Sequence, residues 1–235
     1  MSLKEKSLLL KEDFDNVYEA GRSDYSNFIE RAISFNGTRT DYKYAFQQSN
    51  FSGCTFGLGL IKPKAAGYMF YNYNGSYLPD GMDFSGITPT TTDNQGVYHA
   101  FRWAQIVYLP DLKIPGTVSH NYLVNNAKQL KKIECLHSLE TTTFKDAFLN
   151  CNKLAEVSFE GVIGRDISFA NSPLTVASMK NIITHLKDYA GTTSEYTYTV
   201  TLSSACKTAL EAEGATSPNG NLWSEYIDGL GWTLL

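Results

Sequence analysis

The sequence predicts an α+β chain: a parallel β-solenoid of short repeats, preceded by an N-terminal helix and closed by a mixed α/β C-terminal cap. Three observations lead there. Short aromatic-apolar signatures recur: YAF ending at Phe46, YMF at Phe70, HAF at Phe101, YLV at Val124 and DAF at Phe148, separated by 24, 31, 23 and 24 residues. Tyr-Leu-Pro-Asp is spelled twice, from Tyr77 and again from Tyr108. Before and after this stretch the pattern changes to helical spacing. Recurrence at about 20–50 residues marks stacked units, none of which covers its own apolar face.

The order of elements follows from the residues. Over residues 3–33, Leu10, Phe14, Val17, Gly21, Tyr25, Phe28 and Ala32 fall on one stripe with charged residues opposite, which predicts a helix and a stem domain over residues 1–36. That stripe has two readings. It packs on the domain behind it, or Leu10, Phe14, Val17, Tyr25 and Phe28 join copies of the chain in a short parallel coiled coil, a possible homotrimer. Residues 37–170 hold the repeats. The clearest unit is DAFLNCNKLAEVSFEG, with Cys151, Leu154, Val157 and Phe159 at +3, +6, +9 and +11 from Phe148. The unit before it places Ala127, Leu130, Ile133 and Cys135 at the same offsets from Val124. Each therefore predicts one short strand, Leu130–Cys135 and Leu154–Phe159, with the two YLPD segments as one turn repeated in successive units. Residues 171–235 read as the cap: a helix entered through Thr175, a strand in EYTYTVTL, a helix ending at Gly214, and a last helix and strand in NLWSEYIDGLGWTLL.

Composition excludes several functions. With 20 Lys and Arg against 24 Asp and Glu, the net charge is −4, which argues against a nucleic-acid groove. No apolar stretch is long enough for membrane insertion, and the start carries no Sec-type signal. The four cysteines form no CxxC pair and read as small buried apolar residues, with a disulfide left open. His99, His120, His137 and His185 show no metal-ligand spacing, so neither a metal nor a cofactor is expected. Catalytic signatures are missing. One carboxylate pair, Asp80 and Asp111 in the two YLPD turns, has the register to face one another as in a glycosidase; the competing reading is that both cap turns. Binding leaves a clearer trace. Tyr71, Tyr73, Tyr77, Tyr98, Trp103 and Tyr108 crowd two successive units, and such side chains either fill the wall of the repeat or line a recognition surface for sugars or proteins.

AFLNCNKLAEVSFEG resembles the BspA-like leucine-rich repeat of bacterial surface antigens, whose units carry AFxxCxxLxxIxF. The resemblance spans roughly residues 40–170; it is specific in the last two units and degraded in the first three, where Tyr73 or Ala104 replaces Cys. It implies a leucine-rich-repeat solenoid. The layout of LLKEDFDNVYEAG, the repeats, FEGVIGRDISFANSPLT and the mixed C-terminal segment is similar to tail-associated proteins of bacteriophages that infect Gram-positive hosts. That likeness implies a non-enzymatic virion protein, released by lysis, that engages a host-surface glycan or protein or neighbouring virion proteins. The alternatives are a secreted or surface-attached bacterial adhesin of the same repeat type and, behind it, a glycan-cleaving enzyme.

Overall fold

The structure is a computed structural model that describes residues 32–33, 46–48, 50, 52, 55–56, 62–88, 96–192 and 196–235. Most of the expected stem, including Leu10, Phe14, Val17, Tyr25 and Phe28, lies outside these residues. At its end, Ala32–Ile33 form strand β1 rather than helix, paired in parallel with β2, Thr55–Phe56.

The expected continuous solenoid is not what forms. Among the described residues, the strands beyond β2 separate into two three-stranded parallel sheets, accompanied by three helices. One sheet holds β3 (Tyr108–Leu109), β4 (Lys132–Ser138) and β5 (Glu156–Gly161) in that order; the other holds β6 (Ile167–Phe169), β7 (Tyr198–Leu202) and β8 (Trp232–Leu234). The helices are α1 (Val176–Thr184), α2 (Ser204–Glu211) and α3 (Trp223–Gly229). β6 lies before the expected cap boundary at 171, yet it pairs with β7 beyond it.

Two physical causes break the ladder. Proline supplies no N–H: Pro110 ends β3 after two residues, and Pro79 holds the same place in the earlier YLPD segment, where residues 77–79 form no strand. At the other end, α1 occupies the place where a further strand would pair with β5. Its side chains take over the acceptor role: the Val157 N–H donates to Ser178 Oγ at 2.9 Å and the Phe159 N–H to Asn181 Oδ1 at 2.7 Å. An edge that would otherwise template another strand is thereby covered. Thr175 caps α1 by accepting from the Ser178 N–H, while Met179, Ile182 and Ile183 are buried. β5 ends at Gly161, where φ is +93° and a Cβ would stand 2.1 Å from the Ser138 carbonyl oxygen, so no other residue fits.

Beside the first sheet runs a stack of turns built from the recurring signatures. Phe46, Phe70, Phe101, Val124 and Phe148 are all essentially inaccessible, and the phenyl rings stack from one turn to the next: 4.8 Å between Phe46 and Phe70, 5.5 Å between Phe70 and Phe101, and 4.4 Å between Phe148 and Phe169 of β6. Alternate amides serve two purposes. Met69, Tyr71 and Tyr73 donate to carbonyls three residues back, whereas Tyr68, Phe70 and Asn72 donate across to Tyr98, Ala100 and Arg102 of the next turn. The pattern recurs at Tyr122, Val124 and Asn126, which donate to Lys145, Ala147 and Leu149. Buried backbone needs such pairing, and these turns achieve it without helix or strand.

The alternation has a conformational requirement. Two residues before and two after each anchor, φ is positive: Tyr68 and Asn72, His99 and Trp103, Tyr122 and Asn126, Asp146 and Asn150.

The closure of β5 by α1 predicts that Asn181→Ala, which strands the Phe159 N–H, lowers stability by about 1–2 kcal/mol. Urea unfolding checks it; an unchanged midpoint would show that the Asn181 bond does not secure this edge.

Candidate binding surface

All but one of the left-handed positions beside the anchors carry residues that reach the surface; the exception is the buried His99. This backbone region is comfortable for Asn and Asp and costs other side chains about 1–2 kcal/mol each. After the anchor, three turns use Asn72, Asn126 and Asn150 and the Phe46 turn uses Gln48, but the Phe101 turn uses Trp103 at φ +60°. Before the anchor stand Tyr68, His99 and Tyr122 at φ between +56° and +57°, and only the last turn has Asp146. Bulky aromatic rings therefore sit where the backbone asks for a small polar residue, and strain of this kind gathers at functional positions.

The rings form one contiguous surface. Trp103, 40% exposed, lies 5.3 Å from Tyr71; Tyr71 lies 5.5 Å from Tyr68; Tyr68 lies 5.8 Å from Tyr98; and Tyr98 lies 5.4 Å from Tyr122. Beneath them, the buried His99 ring is stacked between Tyr68 at 4.9 Å and Tyr122 at 4.6 Å. The Arg102 guanidinium lies 4.6 Å over the Trp103 ring, and its N–H approaches His99 Nδ1 at 3.2 Å. Lys145 reaches the far ring, 5.9 Å over Tyr122. Where the aromatics end, an amide row continues: Asn150 Nδ2 donates to Asn126 Oδ1 at 3.0 Å, and Asn126 Nδ2 donates to Asn125 Oδ1.

Of the six residues singled out in the sequence, this surface unites Tyr71, Tyr98 and Trp103. Tyr73 is a correction. It is wholly buried, its ring 5.1 Å from Phe70 and its hydroxyl donating to the Tyr77 carbonyl, because it fills the interior position held by Ala104, Ala127 and Cys151 in the other turns. Tyr77 and Tyr108 lie apart, lining a cleft of about 570 Å³ with Leu78, Pro79, Asp80, Met82 and Asp111. Burial first, then its bond to Glu134, pushes the Tyr108 hydroxyl up to about 12. Asp80 and Asp111 do share that cleft. Burial of Asp111 opposes its ionisation, but bonds from Lys113 and His137 outweigh it and hold the carboxyl below its ordinary value. Tyr68, Arg102 and Tyr122 were not foreseen; the signal for Tyr68 and Tyr122 was the first letter of each repeated signature, YMF and YLV.

A second concavity of about 600 Å³ lies between Thr143–Asp146 and the second sheet, lined by Arg165, Asp166, Tyr196 and Tyr198. Its polar groups are engaged internally: Arg165 donates to Tyr198 Oη at 2.8 Å and to the Gly164 carbonyl at 2.8 Å, and Asp166 accepts from Thr199. Cys135, Cys151 and Cys206 are free thiols, and Cys54 lies outside the described residues. No described helix is long and apolar enough to cross a membrane. No protein-family model, curated protein or solved structure matches the chain, so any functional reading rests on its own residues.

His99 and His120 make the surface and its base acid-sensitive. Burial, joined by the Arg102 charge, lowers His99 to about 4; burial, joined by His137, lowers His120 to about 4. His120 is inaccessible, parallel to Phe144 at 5.5 Å, with neither ring nitrogen partnered among the described residues. Between about pH 6.5 and pH 4 the unfolded chain takes up protons that the folded imidazoles refuse. Stability is therefore full above this window and falls as pH drops through it, by up to about 3 kcal/mol for His120 at 1.36 kcal/mol per pH unit. Ala66, Val97 and Phe144 hold the same buried position in other turns, so His120→Val keeps the fold. Urea unfolding at pH 7 and 4.5 should show a shallower acid loss in that variant than in the native chain; equal losses would mean His120 is protonated without penalty.

Proposed function

We propose that the chain is a non-catalytic binding module whose outward turn face holds a carbohydrate chain of a cell surface. The observation that carries this reading is Trp103: an exposed aromatic at a left-handed backbone position where the other turns place an amide side chain, Gln48, Asn72, Asn126 or Asn150. A side chain kept there against its conformational preference is retained for what it touches outside the fold. Flat rings in a row, with the Arg102 guanidinium at one end and Lys145 at the other, offer apolar faces to sugar rings. The adjoining half-buried Asn126 and Asn150 offer amide groups to hydroxyls, with the buried Asn125 holding Asn126 from behind. Asp111, the better placed of the two YLPD carboxylates, is tied to Lys113 and His137 and is a poor general acid, which supports a binding role over glycan cleavage. The setting as a tail-associated phage protein, engaging its host, rests on the resemblance of the quoted segments.

The test uses wall polysaccharides isolated from Gram-positive cells and the full chain. Native protein should bind saturably, and Trp103→Asn should weaken binding about 30-fold, the equivalent of losing a hot-spot contact of roughly 2 kcal/mol. Because Asn is the residue used at this position in three other turns, the melting temperature of the variant should not fall. Saturable binding that is unchanged in Trp103→Asn, or no binding to any polysaccharide, would overturn the reading; the second outcome would turn attention to protein partners.

A further inference from the structure

On the strand side of the molecule, away from the aromatic face, three different ligating groups converge. The oxygen of Asp111, the sulfur of Cys135 and a ring nitrogen of His137 all lie within 4.8 Å of one another. Nothing in the sequence spacing announces this, because Asp111 follows β3 whereas Cys135 and His137 are on β4.

A β-bulge assembles the cluster. β4 and β5 pair with a constant offset through Ile133↔Val157, and the register then shifts by one so that Leu136, not Cys135, lies opposite Phe159. Ile133 and Leu136 are both buried, leaving two consecutive residues, Glu134 and Cys135, off the core face. Strict alternation from Ile133 would have buried Cys135, which is the position the sequence repeat predicts for it. That expectation is corrected: Leu136 takes the core site and Cys135 is turned, partly exposed, toward Asp111 and His137. Bulges that re-aim a side chain are a recurring device at functional sites.

The surrounding groups match a metal centre. His137 Nε2 is 2.9 Å from Asp111 Oδ1, and its other nitrogen, Nδ1, is 3.3 Å from Glu160 Oε2. A carboxylate on the far nitrogen of a ligating imidazole fixes its tautomer and orientation. Asp111 keeps its second oxygen for Lys113. Asp111, Glu134 and Glu160 place three carboxylates near the thiol against one ammonium, that of Lys113, a balance that suits a cation.

The geometry points to a binding site for a zinc-class divalent ion, with Asp111, Cys135 and His137 as its three protein ligands and Glu160 as the orienting carboxylate. Ligands of a tetrahedral zinc stand roughly 3.3–3.8 Å apart, so the ion replaces the proton between His137 and Asp111 and the cluster adjusts by less than about 1 Å. Three protein ligands leave the fourth position to water or to an incoming donor.

The site is tested on the full chain, free of any polyhistidine tag and kept reduced, by calorimetric titration with zinc chloride and by absorption after adding cobalt(II). One zinc ion should bind per chain, and the cobalt complex should show a thiolate-to-cobalt charge-transfer band. Cys135→Ser should abolish that band and weaken zinc at least tenfold, His137→Gln should also weaken zinc at least tenfold, and Cys206→Ser should change neither. All three variants and the native chain are compared by circular dichroism and melting curves without metal, so loss of folding is separated from loss of a ligand. No stoichiometric uptake by the native chain, or uptake undiminished in a folded Cys135→Ser variant, would overturn the site. Neither result bears on polysaccharide binding, which uses other residues.

Discussion

The turn stack rests on one constraint: every other amide of a turn donates within its own turn, and the amides between donate to the next. Phe70 donating to Ala100 and Val124 donating to Ala147 are examples of the second kind; Tyr71 donating to Tyr68 and Ala127 donating to Val124 are examples of the first. The scheme lets a buried segment with neither helix nor strand satisfy its backbone, which would otherwise cost several kcal/mol for each stranded group. It also demands positive φ on either side of each anchor. The buried side chains and the exposed ones follow from this geometry. Anchors and the residues three beyond them point inward, and the left-handed residues other than the buried His99 carry the outward face.

That face owes its character to a conflict between backbone and side chain. Asn72, Asn126 and Asn150 obey the local preference; Tyr68, Trp103 and Tyr122 do not. Neighbouring rings recover part of the cost, since Tyr68, His99 and Tyr122 stack in one column and Arg102 lies over Trp103. The remainder has no account within the fold, and it is the reason for reading the surface as a recognition site. On the strand side, the β4 bulge likewise sets aside the regular pattern and gathers Asp111, Cys135 and His137.

Much of the core was legible because apolar residues recur at constant offsets. Phe148, Cys151, Leu154, Val157 and Phe159 are all buried, as are Val124, Ala127, Leu130 and Ile133 in the unit before. What periodicity does not carry is the one-residue insertion in β4. KIECLHS and EVSFEG align equally well with or without a bulge, and only the pairing of Leu136 with Phe159 decides that Cys135 faces out. The division into two sheets was hidden for a different reason. The helix entered through Thr175 was legible, but its docking on the edge of β5 depends on Ser178 and Asn181 reaching the β5 amides, a long-range contact with no local signature. Half of the candidate surface was visible as aromatic density. Tyr73 was misplaced because composition alone does not separate an interior tyrosine from an exposed one; its alignment with Cys151 did.

The most direct test of this account is amide hydrogen exchange by NMR in the turns. Phe70, Asn72, Phe101, Trp103, Val124 and Asn126 lie in no helix or strand, yet each amide donates to the next turn. The account predicts that these amides are protected to the same degree as Ile133 and Val157 in the sheet, exchanging only when the molecule opens globally. Exchange at rates typical of surface loops would contradict it, because the turns would then be held by the sheets rather than by their own alternating hydrogen bonds.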